Sequence, residues 1–169
     1  MQSNLMNTAM RNGLILGVLF SANFLLSVSG LTFLALLTYA IIGFIIYLTY
    51  RYTIQYRDNE LGGSIRFSIA FVFVLMLYVF ATVISSFVKY FFLRFSSSHF
   101  LTDMYNQNIQ TLEQILPTIT EEMYDAMEIL TSPQGYTIMA AWTNIIMAVI
   151  IGIIIAAIVK RKPNPFNNK

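Results

Sequence analysis

The sequence predicts an all-α polytopic membrane protein, with four transmembrane helices and an amphipathic two-helix insert between the third and the fourth. Three observations predict it. Of 169 residues, 57% are apolar and only 11% charged, where a soluble domain carries about a quarter charged. Between Arg11 and Arg51 lie 39 consecutive residues without a charge, and two further uncharged stretches of span length follow. The few charges are segregated by sign along the chain. A net charge of +2 on so apolar a chain excludes nucleic-acid binding driven by phosphate contacts. Zero cysteines exclude a disulfide scaffold, a thiolate metal site and thiol catalysis.

As one helix the 39-residue run would extend roughly 58 Å, close to twice a bilayer's hydrocarbon core. It must therefore break, and Ser27-Val28-Ser29-Gly30 is its only cluster of small, flexible residues. This gives spans over 12–28 and 31–50, a helical hairpin. The same four residues also resemble the end of a signal peptide, with Arg11 as the charged start and 14–26 as the apolar middle. The hairpin explains the whole run without a removed segment and is the reading adopted. Arg66 and Lys89 bracket the third span, 67–88, with Ser64 as its expected N-cap. The fourth, 136–159, lies between Glu128 and Lys160 and is followed by a basic tail, 160–169. The whole is read as a single membrane domain.

Charge orients the spans. Arg11, Arg51, Arg57, Arg66, Lys160, Arg161, Lys162 and Lys169 fall on one side, and only Lys89 and Arg94 on the other. The positive-inside rule then predicts both termini in the cytoplasm of a bacterial inner membrane. Tyr47, Tyr50, Tyr52 and Tyr56 at the inner end of span two, and Tyr136 and Trp142 at the outer start of span four, fit headgroup-level aromatic belts. The inner basic cluster either obeys the threading rule alone or also attracts anionic lipid headgroups.

The outer insert, 98–130, carries Asp103, Glu113, Glu121, Glu122, Asp125 and Glu128. Leu101, Met104, Tyr105, Ile109, Leu112, Ile115 and Leu116 recur at i, i+3, i+4, the rhythm of an amphipathic helix. Pro117 is expected to end it. A second helix is expected from Thr118, with Glu121 completing a capping box and Ile119, Met123, Ala126, Met127 and Leu130 on one face. A stop follows at Thr131-Ser132-Pro133-Gln134-Gly135. Two such helices would cap the bundle, lie in the headgroup layer or meet a partner protein.

Chemistry is sparse. None of the four predicted spans contains an ionisable residue, the usual mark of catalysis or ion coupling at depth. Lys89 and Arg94 are expected to snorkel at the outer interface. His99 is the only histidine, so neither a metal nor a cofactor site is expected; with Asp103 four residues on, it offers at most a weak acid–base pair for a lipid-modifying enzyme. Asn23 and Asn144 are expected to hydrogen-bond across the bundle, aided by small-residue faces at Gly13, Gly17 and Ser21 on span one and Ala148, Gly152 and Ala156 on span four. An alternative has Asn23, Ser85, Ser86 and Asn144 lining the path of an oligomeric channel or transporter. The inner loop, 51–66, holds the candidate interaction residues Tyr56, Arg57, Asp58, Glu60, Gly62 and Gly63; its Gly-Gly pair matches no phosphate-binding fingerprint.

Tyr56, Arg57, Asp58, Glu60, Gly62, Gly63, Phe67, Ala70 and Phe71 resemble the loop pattern of the family called domain of unknown function 4199. The start Gly13-Leu14-Ile15-Leu16-Gly17, the triplet Thr131-Ser132-Pro133 and the ending Lys160-Arg161-Lys162-Pro163-Asn164-Pro165-Phe166 resemble it more weakly. The resemblance implies a four-span bacterial membrane protein, chiefly of Bacteroidetes, with a long outer insert and no assigned activity. The function expected is therefore a non-enzymatic accessory or scaffold subunit, whose partners are the bilayer, a membrane protein bound through the inner loop and outer helices, or further copies of itself.

Overall fold

In a computed structural model, residues 2–29, 32–96, 98–116 and 118–162 are described. Six helices form, α1 (Gln2–Val28), α2 (Thr32–Glu60), α3 (Phe67–Phe95), α4 (Ser98–Ile115), α5 (Glu121–Leu130) and α6 (Pro133–Val159). There is no strand among the described residues, only one isolated antiparallel bridge between Ile65 and Arg161. Four helices, α1, α2, α3 and α6, are long and apolar enough to cross a membrane. Their outward side chains agree: Val18, Phe33, Leu36, Phe87, Trp142 and Ile158 are all exposed, an apolar surface that a water-soluble monomer does not carry.

The chain divides into two compact units, Met1–Ser85 with Thr143–Lys169, and Ser86–Trp142. In the first, α3 is the central helix. Ala70, Phe73, Val74, Leu77, Tyr78 and Ala81 are all buried. A Cβ at Gly13 of α1 would stand 2.7 Å from Phe80 Cβ and 2.9 Å from the Leu77 carbonyl oxygen. One at Gly17 would stand 2.9 Å from Ile84 Cβ, so α1 lies against α3 at a distance only glycine allows. Advancing four residues on α1 advances about four on α3, and the two helices run parallel. Gly152 of α6 meets Phe71 and Val74 from another side, with 3.1 Å from a built Cβ to the Phe71 ring. The two small-residue faces expected to pair with each other therefore each pack on α3.

Helix boundaries depart from the predicted spans where polar sequence continues an apolar stripe. In α2, Ile45, Thr49, Thr53 and Tyr56 are buried at helical spacing, and the helix runs on to Glu60 because that face is packed. The threonine hydroxyls donate to Ile45 O and Thr49 O at 2.8 Å each, which removes the cost of enclosing them. What charge placed in a loop, 51–60, is helix. Likewise Ala9 and Asn12 extend the buried stripe of α1 through Arg11, toward a helix start at Gln2. Serine hydroxyls at Ser27 and Ser29 donate to Phe24 O and Leu26 O at the end of α1, where the break was expected; Gly30 lies outside the described residues.

Ser64 is not the N-cap of α3. Its neighbour Ile65 is held instead by reciprocal backbone bonds with Arg161, 3.1 Å and 3.0 Å, and Ala70 N–H donates to Arg66 O as the first helical bond of α3.

In the second unit, α4 turns Ile109 inward and packs with α5. α5 starts later than expected: Thr120, not Thr118, is its N-cap, with extended backbone and no side-chain cap bond. Glu121 and Glu122 in the first turn supply the favourable charge at the helix's positive end, so the capping box is not used. Pro117 lies outside the described residues. The expected stop at 131–135 is two residues long, because Pro133 opens α6 rather than ending α5. Proline suits the first helical position, where its missing N–H is not needed. Ser132 is the cap, accepting from Gly135 N–H at 3.0 Å while donating to Ile129 O at 2.6 Å. A Cβ at Gly135 would overlap the Ile129 carbonyl oxygen.

Candidate functional site

The ends of four helices meet around the motif 56–63, all within the first unit. Asn4 Nδ2, near the start of α1, donates to Glu60 Oε2 at the end of α2, 3.3 Å away. The Ile65–Arg161 bridge joins the approach to α3 with the exit from α6. Tyr56, buried, stacks on Phe73 of α3 with ring centroids 4.4 Å apart and planes 6° from parallel. Arg57 Nε lies 2.7 Å from Asp58 Oδ1, and Arg57 Nη1 donates to Val159 O at 3.3 Å. Val159 is the last residue of α6, so the guanidinium sits at the negative end of that helix. Gly62 (φ 64°) and Gly63 (φ 84°) take left-handed backbone, and Gly63 N–H turns back to Arg57 O at 2.9 Å. A side chain at either would be strained.

Tyr56, Arg57 and Gly63 thus face their own helices. Asp58, Asn59, Glu60, Gly62 and Arg66 remain exposed and form its outward surface. The residues that sequence reasoning missed are Phe73 and the backbone of Ile65, Val159 and Arg161. A backbone partner leaves no signature in residue type. Phe73 was legible only as one of many span phenylalanines.

The remaining candidates separate. Ser21 is buried and donates to Gly17 O at 2.8 Å; Ala148, Gly152 and Ala156 line the buried face of α6. Asn23 Oδ1 and Asn144 Nδ2 are both buried without a partner, as is Thr82 Oγ1; the hydroxyl of Tyr78 has Thr49 of α2 beside it. The expected Asn23–Asn144 bond does not form. Measured along α3 from the Gly17 and Gly152 contacts, the two asparagines lie about eight residues apart in depth, on the order of 12 Å. Asn144 instead falls level with Tyr78 and Thr82, on the α3 face that continues the Phe71–Val74 contact. Ser85, fully buried, donates to Thr82 O at 3.2 Å.

In the second unit His99 and Asp103 are both exposed on α4, with no bond between them. Lys89, expected to snorkel, is buried. Phe100 and Tyr136 meet edge to face with centroids 5.7 Å apart. A pocket of about 420 Å³ opens among Leu101, Thr102, Tyr105, Glu128, Thr131 and Ser132. Among the described residues no three His, Cys, Asp or Glu side chains are grouped so as to hold a metal ion.

Four long apolar helices with lipid-type outer surfaces, their buried hydroxyls mostly bonded to carbonyls of the same helix, define a multi-pass membrane protein. The family described as "Protein of unknown function (DUF4199)" matches residues 11–161, and the chain belongs to it. No curated protein matches the chain. No solved structure does so either.

Proposed function

We propose that this is a non-enzymatic accessory or scaffold subunit of a bacterial inner membrane, with both termini in the cytoplasm and the α4–α5 pair outside. The observation that carries the reading is the open surface of α5. None of its residues is buried; Ile129 is 67% exposed, and Tyr124 and Leu130 are exposed too. Ile115 at the end of α4 is 70% exposed. These side chains stand on helices polar enough for water and are suited to a protein partner's apolar face. The exposed Asp58 and Glu60 give a second contact at the other side of the membrane.

Cross-linked pull-down from native membranes tests this. A stoichiometric partner is expected, lost when Tyr124→Glu and Ile129→Glu are combined and weakened by Asp58→Ala with Glu60→Ala. Recovery of an unpartnered monomer from cross-linked membranes would refute the reading.

One observation favours a second reading, an oligomeric channel or transporter. Thr82 Oγ1 and Asn144 Nδ2 are polar atoms buried in the first unit without a partner, and such atoms line conduction paths. Liposome flux unchanged by Thr82→Val with Asn144→Leu would remove it.

A further inference from the structure

Leu5 and Met6 of α1 face Ser68, Ile69, Val72 and Met76 of α3 across a groove of about 460 Å³, within the roughly 300–1,000 Å³ of small-molecule sites. Five of the six lining residues are apolar. Met6 and Val72 are exposed, so the groove opens outward on helices that cross a membrane, and what faces it there is lipid. It lies at the end of the bundle where the helix termini meet. Arg66, exposed, stands two residues before Ser68. Arg57 is occupied by Asp58 and the Val159 carbonyl, which leaves Arg66 as the cation nearest the groove in sequence. The carboxylate of Glu60 accepts from Asn4, the residue before Leu5.

We propose that this groove holds one acyl chain of an anionic phospholipid whose headgroup is bound by Arg66. The chain removes Leu5, Met6, Ile69, Val72 and Met76 from contact with disordered lipid. The guanidinium offers a planar fork of N–H donors to the phosphate. The side chain of Ser68 and the unbonded first-turn amides of α3 add favourable dipoles at the same place. A second copy is the poorer occupant, because a two-fold contact here sets Arg66 against Arg66. The proposal needs only the membrane spans and stands whether or not α4–α5 bind a protein.

Native mass spectrometry of the full chain, delipidated in detergent and titrated with dioleoyl phosphatidylglycerol or dioleoyl phosphatidylcholine, tests it. One phosphatidylglycerol is expected to bind about fivefold more tightly than phosphatidylcholine, the effect of about one basic residue at a lipid surface. Arg66→Gln should abolish the preference and leave the weaker affinity. Val72→Trp, at an exposed position, should fill the groove and remove both lipids; Met6→Trp on the opposite wall gives the same readout if Val72→Trp does not fold. Glu60→Gln should tighten phosphatidylglycerol binding. Equal affinities in the unsubstituted protein, or a preference that survives Arg66→Gln, would overturn the proposal. A dimer that Val72→Trp dissolves, in place of a lipid adduct, would assign the groove to a second copy and overturn it too.

Discussion

Tyr56 shows how a residue at the edge of a charged segment can belong to the core. Its ring lies flat on Phe73, and truncation to alanine would open a cavity against the central helix. We expect Tyr56→Ala to cost about 3 kcal/mol, the range of buried aromatic truncations, read as a lower unfolding midpoint in micelles. Thr82 behaves in the opposite sense. Its hydroxyl oxygen is enclosed without a partner, and replacing it by a methyl of similar shape removes an unpaired polar atom. Thr82→Val is therefore expected to leave stability unchanged or to raise it by up to about 1 kcal/mol; clear destabilisation in the same assay would show that the hydroxyl has a partner. The sequence marked Thr82 as a polar residue in a span but could not separate it from Ser85, because the difference lies in a neighbouring carbonyl. Tyr78 was overlooked since tyrosine is ordinary in apolar helices until its OH is enclosed.

At the scale of elements, the helices were legible and their ends were not. Uncharged length measures how much chain lipid can cover, and it located four long helices correctly. It does not measure how far a helix continues, which packing decides: α2 runs ten residues beyond Tyr50 because Thr53 and Tyr56 are still buried, Tyr56 against Phe73 of α3. The turn between α5 and α6 illustrates the same limit. Ser132-Pro133 reads as a stop and is a start, because proline at the first helical position and serine before it make an N-terminus. Removing that cap by Ser132→Ala is expected to cost about 1 kcal/mol, visible as faster amide exchange at 133–137. Gly135→Ala should act more severely than its size suggests, since the new methyl meets the Ile129 carbonyl and α5 must shift away. Faster exchange throughout α5, with α1–α3 unaffected, is the expected signature.

For the whole molecule, chain direction is internally consistent. Asn4 meets Glu60, Ile65 meets Arg161, and Arg57 meets Val159, so the start of α1, the end of α2, the start of α3 and the end of α6 share one end. The start of α1 and the end of α6 therefore lie at one end of the first unit, which is what an even number of spans requires; which side of the membrane that end faces is a matter of charge, not of packing. The absence of cysteine makes the orientation directly measurable. Single cysteines at exposed Asn59 and Gln107 are expected to label from opposite sides of intact cells, the first only after permeabilisation. Identical labelling of the two would contradict the threading. Packing partners, by contrast, could not be read from the sequence: small-residue stripes on α1 and α6 declare that something comes close, and nothing in them says that it is α3.

The junction of Ile65 with Arg161 and of Arg57 with Val159 also fixes an order of events. Both use backbone atoms at or just past the end of α6, so neither can form while the first three long helices are being inserted. Until then the Arg57 guanidinium has only Asp58, and Ile65 has no strand partner. Closure of this end therefore follows insertion of α6, and a chain stalled before α6 leaves this end of the bundle unfinished.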